Sequence, residues 1–173
     1  PFSITEKGKL MAKMPVDPRI SRMLIQAKTQ GCIEEMTVIA AALSIPDPRE
    51  RPSERAQEAD QIHKAFNDSS SDFITLLNIW RKYHRIRQKE KTIKSMKKFC
   101  KTHFLSFKRM REWRDIHDQL SEVLKEYGLD DNKHRAKDAR KKQSTSAQPS
   151  KVKHPDQLSE FGSLYTSIHK SIL

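Results

Sequence analysis

The clearest helix signals of the chain lie in residues 14–52, MPVDPRISRMLIQAKTQGCIEEMTVIAAALSIPDPRERP. Asp17 precedes Pro18, an order typical of a helix N-cap followed by proline at the first helical position. Ile20, Met23, Leu24 and Ala27 then recur three and four apart until Gly31, a residue that often ends helices in a left-handed cap. This segment therefore predicts an amphipathic helix that begins at Pro18 and ends before Gly31.

A second helix is predicted over residues 32–44. Glu34 and Glu35 suit the positive N-terminal end of a helix. Residues 36–43 are apolar nearly all round, which predicts a central buried helix with Leu43 in the core. Pro46, Pro48 and Pro52 then predict an extended, rigid exit.

The rest of the chain continues the helical pattern. Ser53 and Thr92 are candidate N-caps, a turn is expected over residues 67–72, and Gly128 ends a last long helix predicted over residues 106–127. The face of the helix after Thr92 is expected to bury Ile93, Met96, Cys100 and Phe104. The chain has only 4 Gly in 173 residues, which suits long helices better than a sheet with many tight turns. The expected fold class is an all-α helical bundle.

The organisation changes near residue 133. Residues 133–155 are basic and then rich in Ser, Gln and Pro, which predicts a disordered linker. Asp156 then opens an amphipathic helix, which must dock on the main domain or on a missing one. The chain starts at Pro1 without an initiator Met and stops at Leu173 inside an apolar pattern, so we expect it to be a fragment of a longer protein.

Composition limits the partners. Lys and Arg number 34 against 22 Asp and Glu, for a net charge of +12 and a pI of about 9.8. This favours an anionic partner, with nucleic acid first and a membrane surface second. The sequence has no apolar run long enough to span a bilayer and no signal peptide. Cys32 and Cys100 are too few for a disulfide framework, so a reducing compartment is expected.

Enzyme sites are weak in this sequence. EKGKL is not a phosphate loop, so we expect no ATP site within the chain. Cys100 and His103 have a spacing that could bind zinc, but a structural site needs four ligands, so a buried thiol and a polar histidine are favoured. His117, beside Asp115 and Asp118, could be an acid–base catalyst, although a packed or hydrogen-bonded histidine is favoured because adjacent helix positions point apart.

The strongest chemical signal is basic. Lys and Arg interleave with aromatic and small polar residues in RKYHRIRQKEK (residues 81–91), KSMKKFCKTH (94–103) and SFKRMREWR (106–114). Cations for phosphates and flat rings near bases suit single-stranded nucleic acid. The alternative is a solvated basic face. For KHRAKDARKK in the linker, nonspecific attraction and mere solubility are equally good explanations.

Several spaced motifs resemble the helicase-associated segment of DEAH-box ATP-dependent RNA helicases. They are ITEKGKLMAKMPVDPRISRMLIQAKTQGCIEEMTVIAAALSIPDPRERP (residues 4–52), EADQIHKAF (58–66), SDFITLLNIW (71–80) and FCKTHFLSFKRMREWRDIHDQL (99–120). DPRERP and LLNIW are similar to the bacterial HrpA type rather than to the eukaryotic splicing helicases. LYTSIHKSIL (164–173) resembles the helix that leads into the following OB-fold domain.

The resemblance implies a domain order. Residues 1–15 would be the tail of a winged-helix domain, with ITEKG as its last strand and turn. Residues 16–129 would be the helical, ratchet-like helicase-associated domain, residues 130–155 a basic linker outside the family pattern, and residues 156–173 the helix before a missing OB-fold domain. The motor, two RecA-like domains that bind ATP and Mg²⁺, would lie upstream, so no cofactor is expected in this fragment.

The resemblance also implies an RNA-facing segment, FCKTHFLSFKRMRE (residues 99–112). Its candidate RNA-binding residues are Lys101, Thr102, His103, Ser106, Lys108 and Arg109. The expected function is an accessory domain that grips single-stranded RNA in a cytoplasmic ATP-dependent helicase, beside the parent's RecA-like and OB-fold domains and without a membrane partner. The alternative is a non-catalytic helical module that docks on a protein or on ribosomal RNA. A free-standing enzyme is a third, weaker possibility, because no site supports it.

Overall fold

The computed structural model describes the backbone of residues 3–129 and 157–172, with side chains over 3–129 and 163–172. These residues form a 3₁₀ turn, Ser53–Arg55, and a bundle of α-helices, which confirms the all-α prediction. The helices are α1 (Glu6–Lys13), α2 (Pro18–Gln30), α3 (Ile33–Leu43), α4 (Ala56–His63), α5 (Asp72–Glu90), α6 (Ile93–Thr102), α7 (Phe107–Glu126) and α8 (Gln157–Ile172). The predicted linker, residues 130–155, lies outside the described residues.

Local side-chain caps begin and end these helices. Asp17 Oδ1 accepts a hydrogen bond from the Arg19 amide at 2.8 Å, beside Pro18 at the start of α2. Gly31 ends α2 with a φ of 67°, a left-handed conformation that favours glycine. The Thr92 side chain caps α6 by accepting from the Ser95 amide at 3.2 Å. The predicted boundaries of α2 and the predicted start of α6 are therefore confirmed.

Helix α3 lies at the centre of the bundle, against α2, α5 and α7. Met36, Ile39, Ala40 and Ala41 are fully buried, which confirms the predicted central helix. The prediction that Leu43 belongs to the core is wrong, because 43% of this residue remains exposed. Leu43 is the last residue of α3, where the helix runs out from between its neighbours.

The N-terminal segment differs from the predicted strand and turn. Residues 6–8 of ITEKG are helical and begin α1. Thr5 Oγ1 accepts a hydrogen bond from the Gly8 amide at 3.1 Å, and Leu10 and Met14, four residues apart, are buried. A cap followed by an i, i+4 apolar pair stabilises a helix here, and the strand prediction overlooked it. The assignment of residues 1–15 to a winged-helix domain stays a prediction.

Helix α8 packs on the main domain, chiefly against α2. Ile168 is fully buried, and the Ser171 hydroxyl lies 3.5 Å from the Cys32 sulfur. The His169 ring meets the Phe73 ring edge-on, with centroids 5.8 Å apart. Of the two docking sites considered for this helix, the main domain is therefore the one observed.

The proline-rich exit from α3 pairs with the connection between α6 and α7. The Glu50 amide donates to the Phe104 carbonyl at 2.8 Å, and the Ser106 amide donates to the Pro48 carbonyl at 2.8 Å. Through these two hydrogen bonds, residues 48–50 run antiparallel to the connection and hold it in place. Phe104 lies beyond the end of α6, with a φ of 49°, yet its side chain is buried as expected.

The expected burial of Ile93 is wrong. This residue is 70% exposed, although Met96 and Cys100 on the same helix are buried as predicted. Ile93 occupies the first position of α6, where none of the described helices covers its side chain.

Candidate nucleic-acid interface

Basic charge is concentrated in one part of the bundle. Residues 81–111 contain thirteen Lys and Arg and a single carboxylate, Glu90. They form the C-terminal half of α5, all of α6 and the first turn of α7. This excess of twelve positive charges makes residues 81–111 a strong attractor of anions within the described bundle.

Lys101 and Lys108 are the most available cations among the six candidate RNA-binding residues. Lys101 lies in the last turn of α6 and is exposed. Lys108 lies in the first turn of α7 with 86% of its side chain exposed, and its ion pair with Glu112 is long, at 3.9 Å. Exposed pairs of this kind contribute little. Both ammonium groups are therefore free to meet a phosphate.

Arg109 makes a contact within the protein. Its Nη1 donates to the Asp47 carbonyl at 2.8 Å, and the Asp47 carboxylate in turn pairs with Arg49 at 2.7 Å. Burial acts to raise the pKa of Asp47, but hydrogen bonds from Arg49 outweigh it and the pKa is lowered. Arg109 thus braces the proline-rich exit against α7.

His103, Thr102 and Ser106 also serve the local fold. His103 Nδ1 lies 2.8 Å from the Phe99 carbonyl, and its ring lies 4.2 Å from the Phe99 ring. Burial lowers the pKa of His103, which disfavours the charged form of the ring. The Thr102 hydroxyl donates to the Lys98 carbonyl, and Ser106 is the N-cap residue of α7 without a side-chain cap bond.

The other reactive side chains lie in packed surroundings. Burial raises the pKa of the Cys100 thiol to about 12, which opposes formation of the thiolate that binds metals. Within the described residues, no three His, Cys, Asp or Glu side chains are grouped to hold a metal ion. His117 Nδ1 lies 3.2 Å from Asp118 Oδ1, and the ring lies 4.7 Å from the Trp80 ring. This agrees with the favoured interpretation of a packed, hydrogen-bonded histidine, although the adjacent Asp118 turns towards it.

Sequence reasoning identified the basic stretches but not the side chains that the fold brings together. Arg87, Arg111 and Arg114 come from two helices and line one cleft with Lys91. Their spacing along the chain gives no sign of this, because the packing of α5 against α6 and of α6 against α7 decides it. Among the described helices, none is long and apolar enough to cross a membrane.

Comparisons with known proteins agree with this architecture. Residues 17–76 match the family described as helicase associated domain (HA2), ratchet-like. The chain is 41% identical over 128 residues to the ATP-dependent RNA helicase HrpA of Escherichia coli strain K12, a match that covers 74% of this chain. It is 42% identical over 133 residues, 77% of this chain, to the HrpA homolog of Haemophilus influenzae.

The chain is also similar to a eukaryotic RNA helicase. The pre-mRNA-splicing factor ATP-dependent RNA helicase prp22 of Schizosaccharomyces pombe is 34% identical over 124 residues, 72% of this chain. In each of these three proteins the match covers 10% of the relative's own length. The resemblance to DEAH-box helicases of the bacterial HrpA type is thereby confirmed. Through residues 17–76, the chain belongs to the family of ratchet-like helicase-associated domains.

Proposed function

We propose that this chain is the accessory, RNA-gripping domain of a cytoplasmic ATP-dependent DEAH-box RNA helicase that unwinds or translocates along RNA. The observation that carries the proposal is the pair of free cations, Lys101 and Lys108, at the two sides of the α6–α7 connection. This pair lies within the most basic part of a domain whose relatives are named RNA helicases. RNA would run along this connection, next to the parent's RecA-like and OB-fold domains.

The division of roles follows from the contacts. Lys101 and Lys108 are exposed and would bind phosphates, because phosphate contacts need only a mobile cation. Arg109 and His103 would act indirectly, since their hydrogen bonds to Asp47 and Phe99 hold the connection in place. Thr102 and Ser106 would offer small polar groups beside the backbone of the RNA.

ATP and Mg²⁺ belong to other parts of the parent protein. The sequence of this chain has no glycine-rich turn that ends in Lys-Ser or Lys-Thr, and within the described residues no three His, Cys, Asp or Glu side chains are grouped to hold a metal ion. We therefore assign the binding of ATP and Mg²⁺ to the motor domains of the parent protein. Its contribution to an ATP-driven cycle would be to hold the RNA while the motor domains act.

The test is a titration of the chain with a labelled single-stranded RNA oligonucleotide at several salt concentrations. The double variant Lys101→Ala/Lys108→Ala should bind more weakly, and the log–log salt slope should flatten by about 1.4, since each lost phosphate contact contributes about 0.7. The matched control is Lys7→Ala/Arg22→Ala, which removes the same charge from exposed positions on α1 and α2. It should keep the wild-type slope.

Equal slopes for the two double variants would show that the α6–α7 connection does not contact RNA. Binding that requires folded ribosomal RNA or a protein, with no affinity for the single strand, would favour the docking module instead. In the parent helicase, the Lys101→Ala/Lys108→Ala variant should unwind poorly while it keeps its basal, RNA-independent ATPase activity. Unchanged unwinding would contradict the proposed role.

A further inference from the structure

A second basic feature lies beside the α6–α7 connection. A cleft of about 320 Å³ opens between the C-terminal end of α5, the start of α6 and the first two turns of α7. Four cationic side chains line it, and no carboxylate does. They are Arg87, Lys91, Arg111 and Arg114.

Three of these cations lack a carboxylate partner. Within the described residues, Arg87, Lys91 and Arg111 form no salt bridge, whereas Arg114 pairs with Asp115. Like charges that converge without counter-charges repel one another, and a bound anion relieves that repulsion. Two guanidinium groups on facing helices also present the planar, forked donors that suit phosphate oxygens.

The cleft has an apolar side as well. Ile93, Met96 and Phe107 line it together with the cations. Ile93 is 70% exposed, and Phe107 is only partly buried. A lone inorganic anion gains nothing from contact with an apolar surface. A nucleotide matches both sides of the cleft, because it carries a phosphate and, within one residue, a flat base that packs on apolar or aromatic groups.

This cleft is continuous with the proposed RNA segment. A neighbouring depression of about 460 Å³ shares Phe107 and Arg111 with the cleft, and its other lining residues are Lys97, Lys108, Glu112 and Asp115. Lys97 Nζ also lies 5.7 Å from the centre of the Phe107 ring. Lys97, Lys108 and the Phe107 ring therefore connect the depression to the cleft, and its two carboxylates, Glu112 and Asp115, each pair with a cation on the same helix.

We propose that the cleft between α5, α6 and α7 holds one nucleotide of single-stranded RNA. Arg87 and Arg111 bind its phosphate, and Ile93 and Phe107 contact its base. This inference rests on the proposed function, because it continues the same RNA path. It assigns to α5 a direct contact with RNA and makes Ile93, which the sequence placed in the core, a surface contact for a base.

The experiment compares two double variants and the same control. Arg87→Ala/Arg111→Ala should flatten the salt slope of RNA binding by about 0.7, the contribution of one phosphate, so the loss of affinity relative to wild type should be about five-fold larger at 0.1 M salt than at 1 M salt. Lys7→Ala/Arg22→Ala should leave the slope unchanged. Circular dichroism and urea midpoints establish that each variant is folded.

The single variant Ile93→Ala tests the base contact without touching the core or the charge. It should weaken binding of an intact RNA oligonucleotide by about five-fold, the lower end of the range for a lost base contact. Binding of an oligonucleotide of the same length without bases should not change. An equal loss with both oligonucleotides, or no loss with either, would overturn the base contact.

The outcomes separate this inference from the proposed function. If Lys101→Ala/Lys108→Ala flattens the slope and Arg87→Ala/Arg111→Ala behaves like the control, the cleft does not bind RNA although the connection does. If the wild-type chain binds no single-stranded RNA, both proposals fall. If a polyglutamate peptide displaces RNA from the wild type but not from the Arg87→Ala/Arg111→Ala variant, the cleft is a site for acidic proteins and the nucleotide assignment is wrong.

Discussion

Two positions on α3, one helical turn apart, should differ sharply when each is truncated to alanine. Ile39 has no exposed surface, whereas Leu43 is 43% exposed. The two side chains are isomers, so the truncations remove the same number of carbon atoms. Ile39→Ala and Leu43→Ala therefore compare the centre of the core with the end of its central helix, with the chemistry held nearly constant.

The expected magnitudes follow from burial. Ile39→Ala removes buried carbon atoms and leaves a cavity among α2, α5 and α7, which typically costs about 2–5 kcal/mol. Leu43 is little more than half buried and opens to solvent, so its truncation forfeits only part of the 1.5–3 kcal/mol of a fully buried leucine and leaves no closed cavity. We expect Leu43→Ala to cost about 1 kcal/mol.

Urea denaturation followed by far-ultraviolet circular dichroism measures both free energies of unfolding. With a slope of about 1–3 kcal/mol per molar urea, Ile39→Ala should lower the midpoint by about 1 M or more, and Leu43→Ala by half as much or less. The slopes themselves should stay at the wild-type value. Equal losses at the two positions would mean that another part of the chain covers the end of α3, and would refute the placement of Leu43.

Three further measurements test individual contacts. Trp113 Nε1 donates to the Val38 carbonyl at 2.9 Å, so Trp113→Phe should cost about 1–2 kcal/mol in urea denaturation, from the lost hydrogen bond and the smaller ring; an unchanged midpoint would contradict this. Burial, and next the charge of His117, lower the pKa of His84. Because the imidazole of His84 binds a proton more readily in the unfolded chain, the contribution of this residue to the free energy of unfolding is fully present above about pH 6.5 and is lost as the pH falls below it. His84→Leu should therefore reduce the loss of stability in acid. A pH profile of the variant identical to that of wild type would contradict this. Cys100, with its pKa raised to about 12, should react with iodoacetamide far more slowly in the native protein than in urea, as mass spectrometry of its peptide would show.

Much of the helix order could be predicted from the sequence because helix boundaries depend on neighbours along the chain. The Asp17 and Thr92 caps and the left-handed Gly31 and Gly128 act over three or four residues, so their signals are local. One helix start, that of α1, was not predicted. The resemblance to a winged-helix tail predicts a strand at the start of α1, although Thr5 occupies the N-cap position of a helix.

The candidate site was predictable only in outline. The excess of Lys and Arg over residues 81–111 is a property of the sequence, and so is the basic character of the α6–α7 connection. The sequence does not show which of these cations are free of strong contacts within the protein. Arg109 bonds to the Asp47 carbonyl, 62 residues away along the chain, while Lys108 stays exposed, and nothing in their adjacent positions distinguishes them.

The helical class, the main helix boundaries and the basic stretches can be predicted from the amino-acid sequence, since they depend on composition and on contacts within one helical turn. The exposure of Leu43 and Ile93, the packing of α8 on α2 and the meeting of cations from α5 and α7 in one cleft follow only from how the helices pack. The physical reason is that burial and charge clustering depend on which helices lie side by side. Apolar periodicity predicts that one face of a helix is buried. The length and position of the neighbouring helices decide which residues of that face remain exposed at its ends.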